Sequence, residues 1–162
     1  MPNDIHTQLC ELLDKEGAVY RVIEHEHEGR TEHIAKIRGN RIEQSIKSIV
    51  IQVRLKKETT YCLANVPGDC RIDFDGLKRH YQAGSVAFAS REKAQELSGC
   101  VIGAIPRFSF SDQLQVLADP LIQENEEVVF NAGRLDRSIF MKLNDYLRIA
   151  KPQLVKIALR GS

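Results

Sequence analysis

No run of about 18 apolar residues occurs in the sequence, so no membrane-spanning helix is expected. A surplus of charge is also missing. The 23 Lys and Arg nearly balance 22 Asp and Glu, for a net charge of +1. That argues against broad, sequence-blind duplex binding, which needs many cations on phosphates. It leaves room for a local basic patch around one end of a nucleic acid. Cysteine is scarce: Cys10, Cys62, Cys70 and Cys100 form no Cys-x-x-Cys pair. Reduced thiols are expected, and the same spacing disfavours a zinc site. The start, Met1-Pro2-Asn3-Asp4, has neither a basic cluster nor an apolar signal segment, so a cytoplasmic location is expected. With only five Pro and ten Gly, collagen-like and low-complexity readings are excluded. No GxSxG elbow, GxxxxGK[ST] loop or GxGxxG fingerprint is present, so common serine-hydrolase and nucleotide-binding frames are unsupported.

What is present fits a globular chain, 43% hydrophobic and 28% charged over 162 residues. Such a chain buries roughly 70% of its extended surface and folds without staples. No repeat or linker divides it, so one domain is expected over residues 1–162, with its core at about 5–155. Ile5, Leu9, Leu12 and Leu13 make one helical stripe, and Gly17 follows it. A strand is expected at 19–23. A helix at 31–38 would be capped by Thr31 and stopped by Gly39. Residues 45–54 are the clearest strand, rich in Ile and Val, and 59–66 its hairpin partner. Further on, helices are expected at 73–82, 91–97 and 145–150, the first interrupted by Gly76 and the second capped by Ser90. Strands are expected at 86–89, 100–102, 114–118, 127–131, 138–142 and 154–159. Several strands are joined too closely for parallel crossovers. The expected fold class is α/β (α+β): one compact domain with a mixed, largely antiparallel central sheet flanked by short helices.

Lys47 is the first candidate for chemistry. Strand alternation places it on one face with Ile49, Ile51 and Val53. An ammonium there is costly without partners, although a lysine at a strand end can reach water. The second is Gly103-Ala104-Ile105-Pro106, a small-residue loop that can turn backbone N–H groups toward an anion or an acyl oxyanion, or can be a plain turn. His25-Glu26-His27 with His33 lacks ligand spacing for a metal and reads as a solvated loop. Asn131-Ala132-Gly133 either presents an amide beside a flexible turn or closes a hairpin.

The order of these pieces resembles the YbaK family, which includes the editing domain inserted into prolyl-tRNA synthetases. The resemblance rests on Ser-Ile-Lys-Ser-Ile-Val around Lys47, Gly-Cys-Val-Ile-Gly-Ala-Ile-Pro at 99–106 and Phe-Asn-Ala-Gly at 130–133. Ile37-Arg38-Gly39, Phe108-Ser109-Phe110, Ala118-Asp119-Pro120 and residues 145–150 tilt it toward the YeaK branch. The resemblance implies a YbaK-like fold and a free-standing aminoacyl-tRNA deacylase that needs no cofactor or metal. Lys47 matches the family's signature lysine, which places the tRNA 3′ end. Gly103, Ala104, Ile105 and Pro106 match the loop beside the aminoacyl group. Asn131 stands where some relatives carry a histidine, and an amide there can hold a water or hydroxyl but cannot act as acid or base. Gly133, Thr31, His25 and Asp136 join the implied substrate-binding set.

The chemistry agrees. An ester with a ribose leaving group needs no covalent nucleophile if water is positioned and the oxyanion meets preorganised N–H donors. The resemblance implies the vicinal ribose hydroxyl as the proton shuttle. Ser, Thr or Ala is the expected amino acid, and hydroxyl-bearing residues fit the YeaK likeness. The expected partner is the 3′ aminoacyl end of mischarged tRNA, with a synthetase or elongation factor as a further partner, and neither membrane nor DNA. Two alternatives stay open: a non-catalytic aminoacyl-tRNA or synthetase binding module, and a small-molecule ester hydrolase. Arg30, Arg38, Arg41, Lys56, Lys57, Lys78, Arg79, Arg107, Arg134 and Arg137 are the candidates for a basic patch, or are simply solvated charges.

Overall fold

The β-branched runs form strands and the amphipathic segments form helices that cover them. The computed structural model describes residues 4–160; the ends of the expected 1–162 span lie outside the described residues. The order begins α1 (Ile5–Lys15), β1 (Tyr20–Glu24), α2 (Thr31–Arg38), β2 (Ile46–Arg54) and β3 (Thr59–Pro67). It continues with β4 (Cys70–Ile72), α3 (Phe74–Tyr81), β5 (Ser85–Phe88), α4 (Arg91–Ser98) and β6 (Leu114–Ala118). It ends with β7 (Glu127–Arg134), β8 (Arg137–Lys142), α5 (Leu143–Ala150), β9 (Gln153–Leu154) and β10 (Ala158–Arg160).

The central sheet has five strands in the order β5-β2-β3-β6-β9. β2 pairs antiparallel with β3 and β5, whereas β6 runs parallel to β3 and to β9. The sheet is thus mixed, as expected. It is not alone: β1-β8-β7 form a second antiparallel sheet, and β10-β4 a small third one. The two faces of β2 and β3 carry separate cores. Ile51, Val53, Cys62 and Ala64 pack with Leu77 of α3. Val50 and Leu63 pack with Ala94 and Leu97 of α4. A third core lies between α1, α5, β7 and β8, around Phe108, Phe130 and Tyr146. Each fully buried Leu or Phe side chain contributes about 1.5–3 kcal/mol.

Four expectations need correction. Thr31 does not cap α2; Arg30 holds that position without a side-chain bond, and Thr31 is the first helical residue. Residues 100–102 form no strand, because Val101 starts a turn whose carbonyl takes the Ala104 N–H at 3.0 Å. The last strand is split into β9 and β10, since the N–H groups of Ile157 and Ala158 are drawn to Asp119 Oδ2 at 2.8 and 2.7 Å. Asn131 to Gly133 do not turn the hairpin; they lie in β7 with an irregular register, and the chain turns after Arg134. Gly76, an apparent weak point in α3, has a steric reason: a Cβ there would lie 2.7 Å from the Lys156 carbonyl. Among the described residues, no helix is long and apolar enough to cross a membrane.

Candidate active site

β2 carries Lys47 into a cleft at the end of the central sheet, opposite Val66 of β3. Its aliphatic stem continues the apolar face of Ile49, Ile51 and Val53, and its half-buried ammonium reaches polar space. Burial holds its pKa below the ordinary lysine value, partly offset by Cys70 and by the carboxylates of Asp69 and Glu32. The outer cleft, about 550 Å³, lies between the start of α2 and the Gly68-Asp69 turn, with Arg30, Thr31, His33 and Lys47 in its wall. Thr31 and Lys47 also line a smaller inner cavity of about 160 Å³, whose other wall includes Gly29, Ser48, Ile102, Gly103, Ile105 and Arg107. An apolar recess of about 250 Å³ adjoins it and shares Ser48, Ile49, Ile102 and Ile105. Lys47 and the glycine loop, 56 positions apart in the chain, therefore line one hollow.

The loop is held tightly. Gly103 adopts φ +94°, and a Cβ there would lie 3.0 Å from Gly29 Cα. Only glycine lets the two backbones meet without strain. Ala104 and Pro106 are buried. The Ala104 N–H is spent on Val101, so it is not a free donor for an oxyanion. The Gly103 and Ile105 N–H groups have no partner among the described residues. They are the donors this loop can offer.

Asn131 supports the loop from below. The residue is 3% exposed. Nδ2 donates to the carbonyls of Glu28 at 3.0 Å and Gly103 at 2.8 Å. Oδ1 accepts from Ser138 Oγ at 3.0 Å and from Arg38 at 3.4 Å. All its hydrogen-bond capacity is used inside the protein, so the amide does not present itself to a substrate. Gly133 also acts from below, donating its N–H to the Ala104 carbonyl at 2.8 Å. His25 Nδ1 donates to the Glu26 carbonyl at 2.7 Å, and its Nε2 lies 2.7 Å from Ser138 Oγ. His25 thus belongs to the supporting network rather than to a solvated loop. Asp136 sits in the β7–β8 turn, bound to Arg134 at 2.8 Å and Arg137 at 3.2 Å. The Arg134 hydrogen bonds hold its carboxyl well below the usual range. Neither Asp136, His25, Asn131 nor Gly133 lines the inner cavity.

Two of the expected surface cations are turned inward instead. Arg107 is 8% exposed, and its terminal nitrogens donate to the carbonyls of Ile46 and Ile105, tying β2 to the loop. Arg38 donates to Asn40, Ser45 and Ser138, all neutral. Burial, with Arg38 nearby, pulls the Arg107 pKa down to about 9, and burial alone pulls Arg38 down to about 10. Arg107, with only neutral acceptors, thus lines the inner cavity, with Arg38 near enough to raise the same positive potential, and the pair favours an anion there. Arg30, by contrast, pairs with Glu28 at 2.9 Å on the surface. The expected basic patch is therefore not one surface: part is buried, part is paired with carboxylates. Ser48 and Gly29 are cavity-lining residues the sequence alone did not single out, and Arg107 was named there only as a surface cation. For Ser48 the only local signal was its place directly after Lys47.

A mixed α/β fold with a half-buried lysine facing a glycine loop defines the class of an editing domain. The family model for the aminoacyl-tRNA editing domain matches residues 25–149, and the chain belongs to that family. The multifunctional Ser/Thr-tRNA deacylase ProXp-y of Escherichia coli strain K12 is 42% identical over 151 residues, covering 93% of this chain and 90% of that protein. Among solved structures, the hypothetical protein APE2540 superimposes with a TM-score of 0.84 at 15% identity, covering 94% of this chain and 99% of that one. A candidate trans-editing enzyme for prolyl-tRNA synthetase superimposes with a TM-score of 0.79 at 21% identity, covering 95% and 96%.

Proposed function

We propose that this protein is a trans-editing hydrolase that deacylates tRNA mischarged with small, hydroxyl-bearing amino acids, Ser and Thr foremost. The observation that carries the reading is the inner cavity, whose wall Lys47 shares with Gly103 and Ile105, two residues whose N–H groups are not taken by the backbone bonds that close the loop. The family match and the Ser/Thr-tRNA deacylase relative supply the substrate class. Lys47 holds the phosphate or ribose of the terminal nucleotide in the outer cleft. The acyl carbonyl points at the two N–H groups, which stabilise its oxyanion as water attacks. Thr31 and Ser48 are the hydroxyls in the inner wall, and that wall contains no His, Asp or Glu to activate them. Water, with the vicinal ribose hydroxyl as proton shuttle, is therefore the attacking group. Bond accounting is simple: the C–O bond to ribose breaks, a C–O bond to water forms, and the proton passes to the leaving ribose oxygen. The protein acts as one editing domain over 1–162, in the cytoplasm where tRNA is charged, with a synthetase or elongation factor as further partner.

The test is a panel of tRNAs charged with Ser, Thr, Ala and Pro, with ester loss followed for the wild type and Lys47→Ala. Hydrolysis of the Ser and Thr esters is expected, with kcat/KM falling about 10²-fold in the variant. Binding without turnover would favour a non-catalytic module. Equal rates on free aminoacyl esters would favour a small-molecule esterase.

A further inference from the structure

We propose that Ser48 selects for a hydroxyl on the esterified amino acid, acting as a hydrogen-bond acceptor whose direction is set by the buried Asn65. The inference rests on the deacylase reading above and names a specificity-determining residue for it.

The argument begins in the backbone. Opposed residues of an antiparallel pair alternate between hydrogen-bonded and non-hydrogen-bonded positions. The Ser45 carbonyl faces the β3 side and accepts from the Gly68 N–H at 2.8 Å. The carbonyls of Ile46 and Val50 face the other edge, toward Arg107 and the Ala89 N–H respectively. Ser48 shares their parity. Opposite it in register is Asn65, whose own carbonyl is turned away from β2, to the Asp119 N–H at 3.0 Å. Ser48 and Asn65 are therefore a non-hydrogen-bonded pair, the kind whose side chains approach most closely, with Cα atoms ~4.5 Å apart.

Asn65 is fully buried, and its Nδ2 donates to the Leu117 carbonyl at 3.0 Å. A carbonyl only accepts, so the amide nitrogen must lie on that side and Oδ1 must face Ser48. Ser48 therefore spends its single proton on Asn65 Oδ1. What its oxygen has left is lone pairs, and Ser48 lines both the inner cavity and the apolar recess. An acceptor without a proton to give, in a wall shared with Ile102 and Ile105, favours a ligand that brings a donor. The side-chain hydroxyl of Ser or Thr brings one. The methyl of Ala does not, and it leaves the Ser48 lone pairs against apolar surface. The recess beyond, with Val50 and Ala94 in its wall, takes the extra methyl of Thr.

The experiment compares tRNAs charged with Ser and Thr against their deoxy counterparts, Ala and 2-aminobutyrate, on wild type, Ser48→Ala and Ser48→Thr. Ser48→Ala is expected to lower kcat/KM on the hydroxyl pair about 10- to 100-fold and to change the deoxy pair less than about threefold. Ser48→Thr keeps the acceptor and keeps the Ser-to-Ala ratio. Should the alanine variant not fold, Ser48→Cys fills the same space with a poor acceptor and carries the same expectation. An unchanged Ser-to-Ala ratio in the folded variant overturns the proposal. Equal losses on all four esters overturn it as well, because they would give Ser48 a general rather than a selective role. A wild type inert toward all four would instead overturn the deacylase reading itself.

Discussion

At the residue scale, the site depends on polar groups whose capacity is already filled. Asn131 is the clearest. Its amide joins the carbonyls of Glu28 and Gly103 and accepts from Arg38 and Ser138. Truncation would leave two partly buried carbonyls unpaired and release the loop. Asn131→Ala is expected to lower the unfolding free energy by about 2–3 kcal/mol, read from urea denaturation. Deacylation should fall with it, because the loop that carries the Gly103 N–H loses its support. Lys47 was legible before the fold was known, because alternation puts one ammonium on an apolar face. Arg107 and Arg38 were not. Nothing in a sequence says that a guanidinium will go inside, where desolvation opposes its charge. The Ile46 and Ile105 carbonyls, together with the Phe130 ring face 5.7 Å from its guanidinium carbon, make Arg107 tolerable there.

At the scale of elements, the close meeting of Gly29 and Gly103 sets the cavity wall. A methyl on Gly103 would meet the Gly29 backbone at 3.0 Å, in a left-handed conformation that already disfavours a side chain. Gly103→Ala is therefore expected to cost about 1–2 kcal/mol in thermal unfolding. It should also reduce kcat/KM for the mischarged ester more than tenfold, by moving the donors off the carbonyl; single-turnover kinetics would show it. Helices and long strands were readable from periodicity: α1, α2, α4, β2 and β3 lie within a residue or two of expectation. Short apolar pieces were not. Residues 100–102 have strand-like side chains, yet Val101 and Ala104 close a turn. β4 passed unnoticed because three residues show no period, and its partner β10 comes from the far end of the chain.

For the molecule as a whole, charge is balanced overall but paired locally. The Glu28 carboxylate is held down to about 2, first by its hydrogen bonds from Arg30, and Asp136 is held lower still by Arg134. A carboxylate whose folded pKa is depressed adds stability above its unfolded value and loses it as pH falls toward the folded one. The Tm is therefore expected to be level from pH 7 to about 5 and to drop between about 4.5 and 2. Calorimetry across that range checks it, and Asp136→Asn should flatten the drop. The amino-acid order by itself determined the class of fold, the strand that carries Lys47 and the loop that answers it, because period and turn chemistry are local. Which side chains share a hollow was decided only by tertiary structure. Strand register, not spacing along the chain, sets Ser48 against Asn65, the packing of two loops brings Gly103 to Gly29, and register is fixed by the packing of every layer at once.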